Sequence, residues 1–179
     1  MRNLQTRDDL NDYFYYVAGI LGKGLSLVVE TIDGRHDLDA ENGRSMGHVL
    51  QLTNITKNIR DDANARSDYP DSRVVFLPKE FYPGVNPNEL IYAMSHEAKD
   101  ARKRTFESMT EMARSHREGT INYLLSIPNE LSGYKAFCLS PFITAMETWK
   151  RMVHSGAERV FSGDEDAVNI ERDQFVNII

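Results

Sequence analysis

The sequence predicts an all-α fold, and three observations carry the prediction. Apolar residues recur at helical spacing over four long segments, no strand-like alternation persists anywhere, and most prolines gather in one irregular stretch, 64–87. In the first segment Thr6 reads as an N-cap, with Asp8 and Asp9 in the opening turn where acids favour the helix dipole. Leu10, Tyr13, Val17, Ile20, Leu21 and Leu25 then recur at helical spacing as far as about residue 29. Gly19, Gly22 and Gly24 interrupt the pattern. Each costs about 1 kcal/mol relative to Ala, so the three together predict close packing or a ligand pressed against that face.

Residues 32–42 are polar, with an Asp33-Gly34 turn signal. A second helical pattern covers 44–65 through Met46, Val49, Leu50, Thr53, Ile55 and Ile59. The stretch 64–87 reads as a loop rather than a linker, because Val74, Val75, Phe76, Leu77, Phe81 and Tyr82 need packing partners. A third pattern spans 88–127, includes Met94, Met109 and Met112 as core packers, and stops at Pro128. The fourth runs over 134–161, with Pro141 early in a helix or at a kink.

Length and composition fit one domain over 1–179: 41% hydrophobic and 27% charged residues suit a folded globular chain. The net charge of −6 argues against nucleic acid as a partner. A single cysteine, Cys138, excludes an intrachain disulfide and reads as a small buried packer in a reducing, cytoplasmic compartment. No apolar run approaches the ~20 residues of a membrane span, and the first residues lack the apolar core of a signal peptide. Lys99, Arg102, Lys103 and Arg104 form a basic cluster that reads first as a solvated face and second as a peripheral contact with anionic lipid. None of the five histidines shows metal-ligand spacing, which leaves them surface or packing roles.

Chemistry concentrates on the second helix. Gln51, Asn54, Asn58, Asp61 and Asp62 fall on or near one stripe, where amide and carboxylate oxygens could hold Mg²⁺ and leave positions for phosphate oxygens. Lys57 and Arg60 flank it and could pair with phosphate directly. From spacing alone a solvated acidic helix end is the simpler reading. Tyr13 and Tyr16, one turn apart beside the glycines, read as core aromatics unless a hydroxyl faces a polar cavity.

Four stretches together resemble the squalene/phytoene synthase family, its squalene branch above all. Residues 13–26 (Tyr-Phe-Tyr-Tyr-Val-Ala-Gly-Ile-Leu-Gly-Lys-Gly-Leu-Ser) are similar to that branch's Tyr-x-x-Tyr-Val-Ala-Gly-x-x-Gly-x-Gly-Leu-Ser. Residues 45–55 resemble the approach to its second aspartate-rich motif, 137–141 its Phe-Cys-Ala-Ile-Pro, and 160–163 its Val-Phe-x-Gly. The resemblance implies a helical bundle of the isoprenoid synthase type and a head-to-head condensation of two farnesyl diphosphates. It implies presqualene diphosphate as intermediate, squalene as product, and Mg²⁺ and NADPH as cofactors. A phytoene-type condensation without reduction and a non-catalytic helical subunit are the alternatives.

By position, Tyr13 falls on the family's catalytic tyrosine, and Asn58, Asp61 and Asp62 fall on its second metal-binding motif. Gln51, Asn54, Lys57 and Arg73 match polar or phosphate-facing positions, and Val17, Gly22 and Leu50 match positions near the substrate channel. Asn58 stands where the family has aspartate and Lys57 where it has arginine; the loop 66–72 is longer, which shifts Arg73 by one residue. The family's first aspartate-rich motif has no counterpart. Asp8-Asp-Leu-Asn-Asp12 matches Asp-Asp-x-x-Asp by letter, but helix capping explains it better. The expectation is therefore the C-terminal part of a squalene synthase-like domain, with an N-terminal half supplied as a separate chain.

Overall fold

A computed structural model describes residues 4–34, 38–64 and 76–170, and no strand occurs among them. Thr6 caps α1 (Arg7–Phe14) in a capping box with Asp9, whose carboxylate accepts from the backbone of Gln5 and Thr6 at 2.8 and 2.9 Å. The capping reading of the Asp8–Asp12 run is thus met at Asp9. A π-helical turn, Tyr15–Gly19, joins α1 to α2 (Ile20–Asp33), which ends at Gly34 in a left-handed conformation, φ 71°. Then follow α3 (Ala40–Lys57), α4 (Ile59–Asn64), α5 (Pro87–Tyr92), α6 (His96–Ser126), α7 (Ser132–Ser155), α8 (Ala157–Ser162) and α9 (Glu165–Val168).

Helix α3 is the hub, packing on α2, α6 and α7. One buried cluster gathers Leu10, Phe14, Leu52, Leu77 and Phe81 with Met109, Trp149 and Phe161; a second gathers Val49, Tyr123, Cys138 and Phe142. Phe76, Leu77, Phe81 and Tyr82 therefore do pack, as a loop with apolar residues requires, while Val74 and Val75 lie outside the described residues. In the second cluster Ser26 Oγ donates to the Tyr123 hydroxyl at 2.9 Å, and Tyr123 bonds Tyr134. Burial raises both phenols and the Cys138 thiol above their ordinary values, so Cys138 is a neutral packer, as expected.

Several expectations change. The third pattern breaks at 93–95, because Ser95 caps α6 by accepting from Ala98 and leaves α5 as a separate turn. Met94 in that gap is exposed instead of packed. Arg102 leaves the basic cluster altogether. It is 3% exposed, with Nε and Nη2 on the Glu158 carboxylate at 2.8 and 2.9 Å, and Nη1 on the carbonyls of Leu90 and Ala93. A guanidinium can make the four hydrogen bonds that close α5 onto α6 and α8, and a lysine, with three donors, cannot. The helix over Arg7–Ile32 is long and apolar enough, by length and composition alone, to cross a membrane; one side of it is packed on α3.

Candidate active site

The polar stripe survives as a structural unit. Asn58 interrupts α3 and α4 at φ −97°, ψ 12°, a sparsely populated backbone region. Yet Asn58 N–H donates to Asn54 C=O at 3.0 Å and Asp62 N–H to Asn58 C=O at 2.8 Å. The hydrogen-bond ladder runs through the break, so Asn54, Asn58 and Asp62 keep one face. Asn58 Nδ2 donates to Asn54 Oδ1 at 2.9 Å, which leaves the Asn58 amide oxygen for another partner. Asp61 projects into solvent.

Tyr13 belongs to this stripe. Its half-buried ring stacks on Phe76 with centroids 5.4 Å apart, and its hydroxyl hydrogen-bonds the Gln51 side chain. Burial raises the phenol above its ordinary value; the Gln51 bond opposes this, and the Asp62 charge adds to it. Gln51 and Asp62, both from the second helical pattern, thus act on Tyr13 from the first. Tyr16, one turn on, is exposed.

Beside the stripe a cavity of about 690 Å³ opens between α3 and α7 and under α9. Leu50, Asn54 and Lys57 line it from α3. The opposite wall was missed in the sequence: Ser140, Thr144 and Thr148 stand at i, i+4, i+8 on α7, with Pro141 beside them. Thr144 and Thr148 each donate to the carbonyl four residues back, both at 2.9 Å, so their protons stay on the helix. Thr53 does the same on α3, at 2.7 Å to Val49 C=O, and accepts from Trp149 Nε1 at 2.9 Å. The walls thus offer methyls and bare oxygens with one cation, a lining suited to a long apolar chain with an anionic end. A hydroxyl at every fourth residue was the readable signal.

The remaining candidates lie elsewhere. Gly22 faces α3: a Cβ there would come within 2.2 Å of Gly43 C=O, and one at Gly47 within 2.4 Å of Ala18 C=O. Of the two readings of the glycine run, close packing therefore holds for Gly22, and no ligand fits between it and α3. Val17 sits on the outer side of its helix, 40% exposed. Arg60 is occupied away from the stripe, with Nη1 donating to Ile91 C=O at 2.9 Å and the guanidinium 4.2 Å over the Tyr92 ring. Arg73 lies outside the described residues.

No group of three or more His, Cys, Asp or Glu converges on a metal position among the described residues. Asn58 and Asp62 share a face and could supply Mg²⁺ with an amide and a carboxylate oxygen, its shell completed by water and phosphate oxygens, whereas Asp61 projects into solvent. At Gly22 the α3 backbone fills the space that a pyrophosphate of NADPH would need.

The fold is that of squalene synthases. A solved complex of TcSQS with the ligand BPH1237 superposes with TM-score 0.72 over 99% of this chain and 49% of that one, at 23% identity; a complex with E5700 gives 0.73 at 24% identity, again over 49% of that chain. The chain belongs to the squalene/phytoene synthase family, whose model matches residues 1–172. Squalene synthase of Solanum lycopersicum is 30% identical over 82% of this chain and 34% of its own length; squalene synthase 1 of Arabidopsis thaliana is 30% identical over 90% and 38%. The chain spans little more than a third of these curated relatives.

Proposed function

We propose that this chain forms one jaw of an enzyme that condenses two farnesyl diphosphates head to head, through presqualene diphosphate, to squalene. The observation that carries the reading is the adjacency of Tyr13, Gln51 and the Asn54–Asn58–Asp62 face, with a mostly apolar cavity opening on the far side of Asn54. Asp61, Asp62 and the Asn58 oxygen would hold Mg²⁺, which supplies charge to stabilise a departing diphosphate. Lys57 meets the anionic end of the substrate from the cavity rim. Leu50, Pro141, Ala145 and the threonine methyls keep water from the carbocation. Tyr13, held by Phe76 and Gln51, keeps its proton at neutral pH and is placed to exchange it at the reacting carbons. The reading includes NADPH for a reductive step, Arg73 at a phosphate, and an N-terminal half carrying the second jaw as a separate chain; all of 1–179 then belongs to one domain, working in the cytoplasm with peripheral membrane contact.

The test combines this chain with an N-terminal squalene synthase half, Mg²⁺, NADPH and labelled farnesyl diphosphate, and follows the label by chromatography. Labelled squalene is expected; product that ignores NADPH points to condensation without reduction. No turnover with any partner sinks the proposal. The Asn54–Asn58 hydrogen bond favours a second reading, a helical subunit without turnover, because an amide stands where a carboxylate would bind metal more tightly. No thermal stabilisation of the assembly by Mg²⁺ with a farnesyl diphosphate analogue would support that reading.

A further inference from the structure

Helices α6 and α7 enclose a second cavity, of about 230 Å³. From α6 it is lined by Thr110, Ala113, Arg114 and Arg117. Met146, Trp149, Lys150 and Val153 line it from α7, on the face turned away from Ser140, Thr144 and Thr148. Both sets stand at i, i+3, i+4 and i+7, so each is one continuous helix face. The floor is apolar. Short side chains at Thr110 and Ala113 leave room beside Met146 and Trp149. The Thr110 hydroxyl donates to Phe106 C=O at 2.7 Å and the indole N–H to Thr53 Oγ1 at 2.9 Å, so neither proton is left for the cavity. The rim is cationic. Among the described residues the Arg114 and Arg117 side chains make no ion pair or hydrogen bond, and Lys150 meets Glu147 only at 3.2 Å on the exposed surface, where such a contact contributes little. No described acid lines the cavity, although the chain carries 27 acidic against 21 basic side chains. A solvated helix face mixes the two signs and has no hollow; this one gathers a single sign around an apolar floor.

We propose that this groove binds a free amphipathic anion, one short apolar chain laid against Met146 and Trp149 with its carboxylate among Arg114, Arg117 and Lys150. Guanidinium forks match a carboxylate in shape as well as charge. The hollow, about 230 Å³, is smaller than the roughly 300–1,000 Å³ of drug-sized sites. That suits a single chain; it excludes a helix about 10 Å across and the paired chains of a bilayer lipid. Nothing in this site depends on the prenyl chemistry proposed above.

Trp149 is the single tryptophan of the chain, so its fluorescence reports on the floor of the groove. The test titrates the full chain with decanoate, held below its micellar concentration, and a saturable change in emission is expected. Decanol, the same chain without the charge, should bind at least about tenfold more weakly. Arg117→Glu and Lys150→Glu, at exposed positions and checked for folding by circular dichroism, should each weaken decanoate at least about tenfold. Lys57→Glu, in the cavity between α3 and α7, should leave decanoate binding unchanged. The chain is also floated with vesicles of phosphatidylcholine and phosphatidylglycerol. No saturable change, equal binding of decanol and decanoate, or a loss that follows Lys57→Glu and spares Arg117→Glu overturns the proposal. So does flotation that Arg117→Glu abolishes, which would make the groove a membrane contact.

Discussion

Helix α3 meets α2 and α7 in opposite ways. Against α2 and the π-turn before it, it presents Gly43 and Gly47, and the backbones approach until a Cβ added at Gly22 or Gly47 would lie 2.2 or 2.4 Å from a carbonyl oxygen. Against α7 it presents Leu50, Thr53, Asn54 and Lys57, and about 690 Å³ stays open. One helix therefore serves as a rigid seam on one side and as the wall of a site on the other. The seam fixes where the wall stands: Tyr13, at the end of α1 that leads into the seam, reaches Gln51 only because α2 lies so close to α3.

The largest effect is expected at the seam. Gly22→Val places branched carbon where Gly43 C=O already sits, and backbone cannot step aside as a flexible side chain can. A loss of about 3 kcal/mol or more in denaturant unfolding is expected; a loss under about 1 kcal/mol would show that the seam is loose.

The seam also predicts a pH dependence. His48 is buried on α3 with Nδ1 3.3 Å from His116 Nε2, and its own Nε2 has no partner among the described residues. Donation from His48 Nδ1–H to His116 Nε2 joins the two rings with both neutral. Burial, then the His116 and Arg44 charges, lowers the His48 pKa to about 4; burial and Arg44 lower that of His116. Both values lie below those of the unfolded chain, so the unfolded state binds more protons below about pH 6.5. Stability present above that pH is lost as pH falls toward 4. For His48 alone the loss between pH 7 and 5 is about 2 kcal/mol, and His48→Leu should flatten that part of the slope in denaturant titrations at the two pH values.

Much of this contrast was legible in the sequence and part of it was not. The Thr6 cap, the helical class, the close-packing glycines and the stripe from Gln51 to Asp62 follow from spacing and capping chemistry, which are local. The α7 wall escaped because Ser140, Thr144 and Thr148 carry no charge, and a threonine stripe reads equally well as a helix face of any kind. Arg102 was misread because a run of cations looks solvated until the tertiary fold supplies Glu158, 56 residues away. The first helix was read as one apolar pattern; its division into a packed side and an open side depends on where α3 lies.

On the site side of α3, Thr53→Val keeps the shape and removes the acceptor of the Trp149 indole N–H. Buried and unpaired, that donor should cost about 1.5 kcal/mol, read as a lower denaturation midpoint with an unchanged m-value. A replacement without cost would mean that water from the cavity reaches the indole and that the site wall is wetter than its methyls imply.

The smallest effect has the opposite sign and separates the seam from the open face. Gly24→Ala adds a methyl where nothing lies within 4 Å, in a helix interior where glycine is poorly suited. The isolated chain should gain about 0.5–1 kcal/mol, because alanine restricts the unfolded backbone and strains nothing in the folded one. Gly47→Ala makes the same chemical change at a position where a Cβ would meet Ala18 C=O at 2.4 Å, so it should lose stability despite the same gain in helix propensity. The pair isolates packing from propensity: opposite signs in parallel urea titrations confirm that one glycine is filled and the other vacant. If both stabilise, the α2–α3 seam has room for side chains, and the close approach that sets Tyr13 beside Gln51 would need another cause.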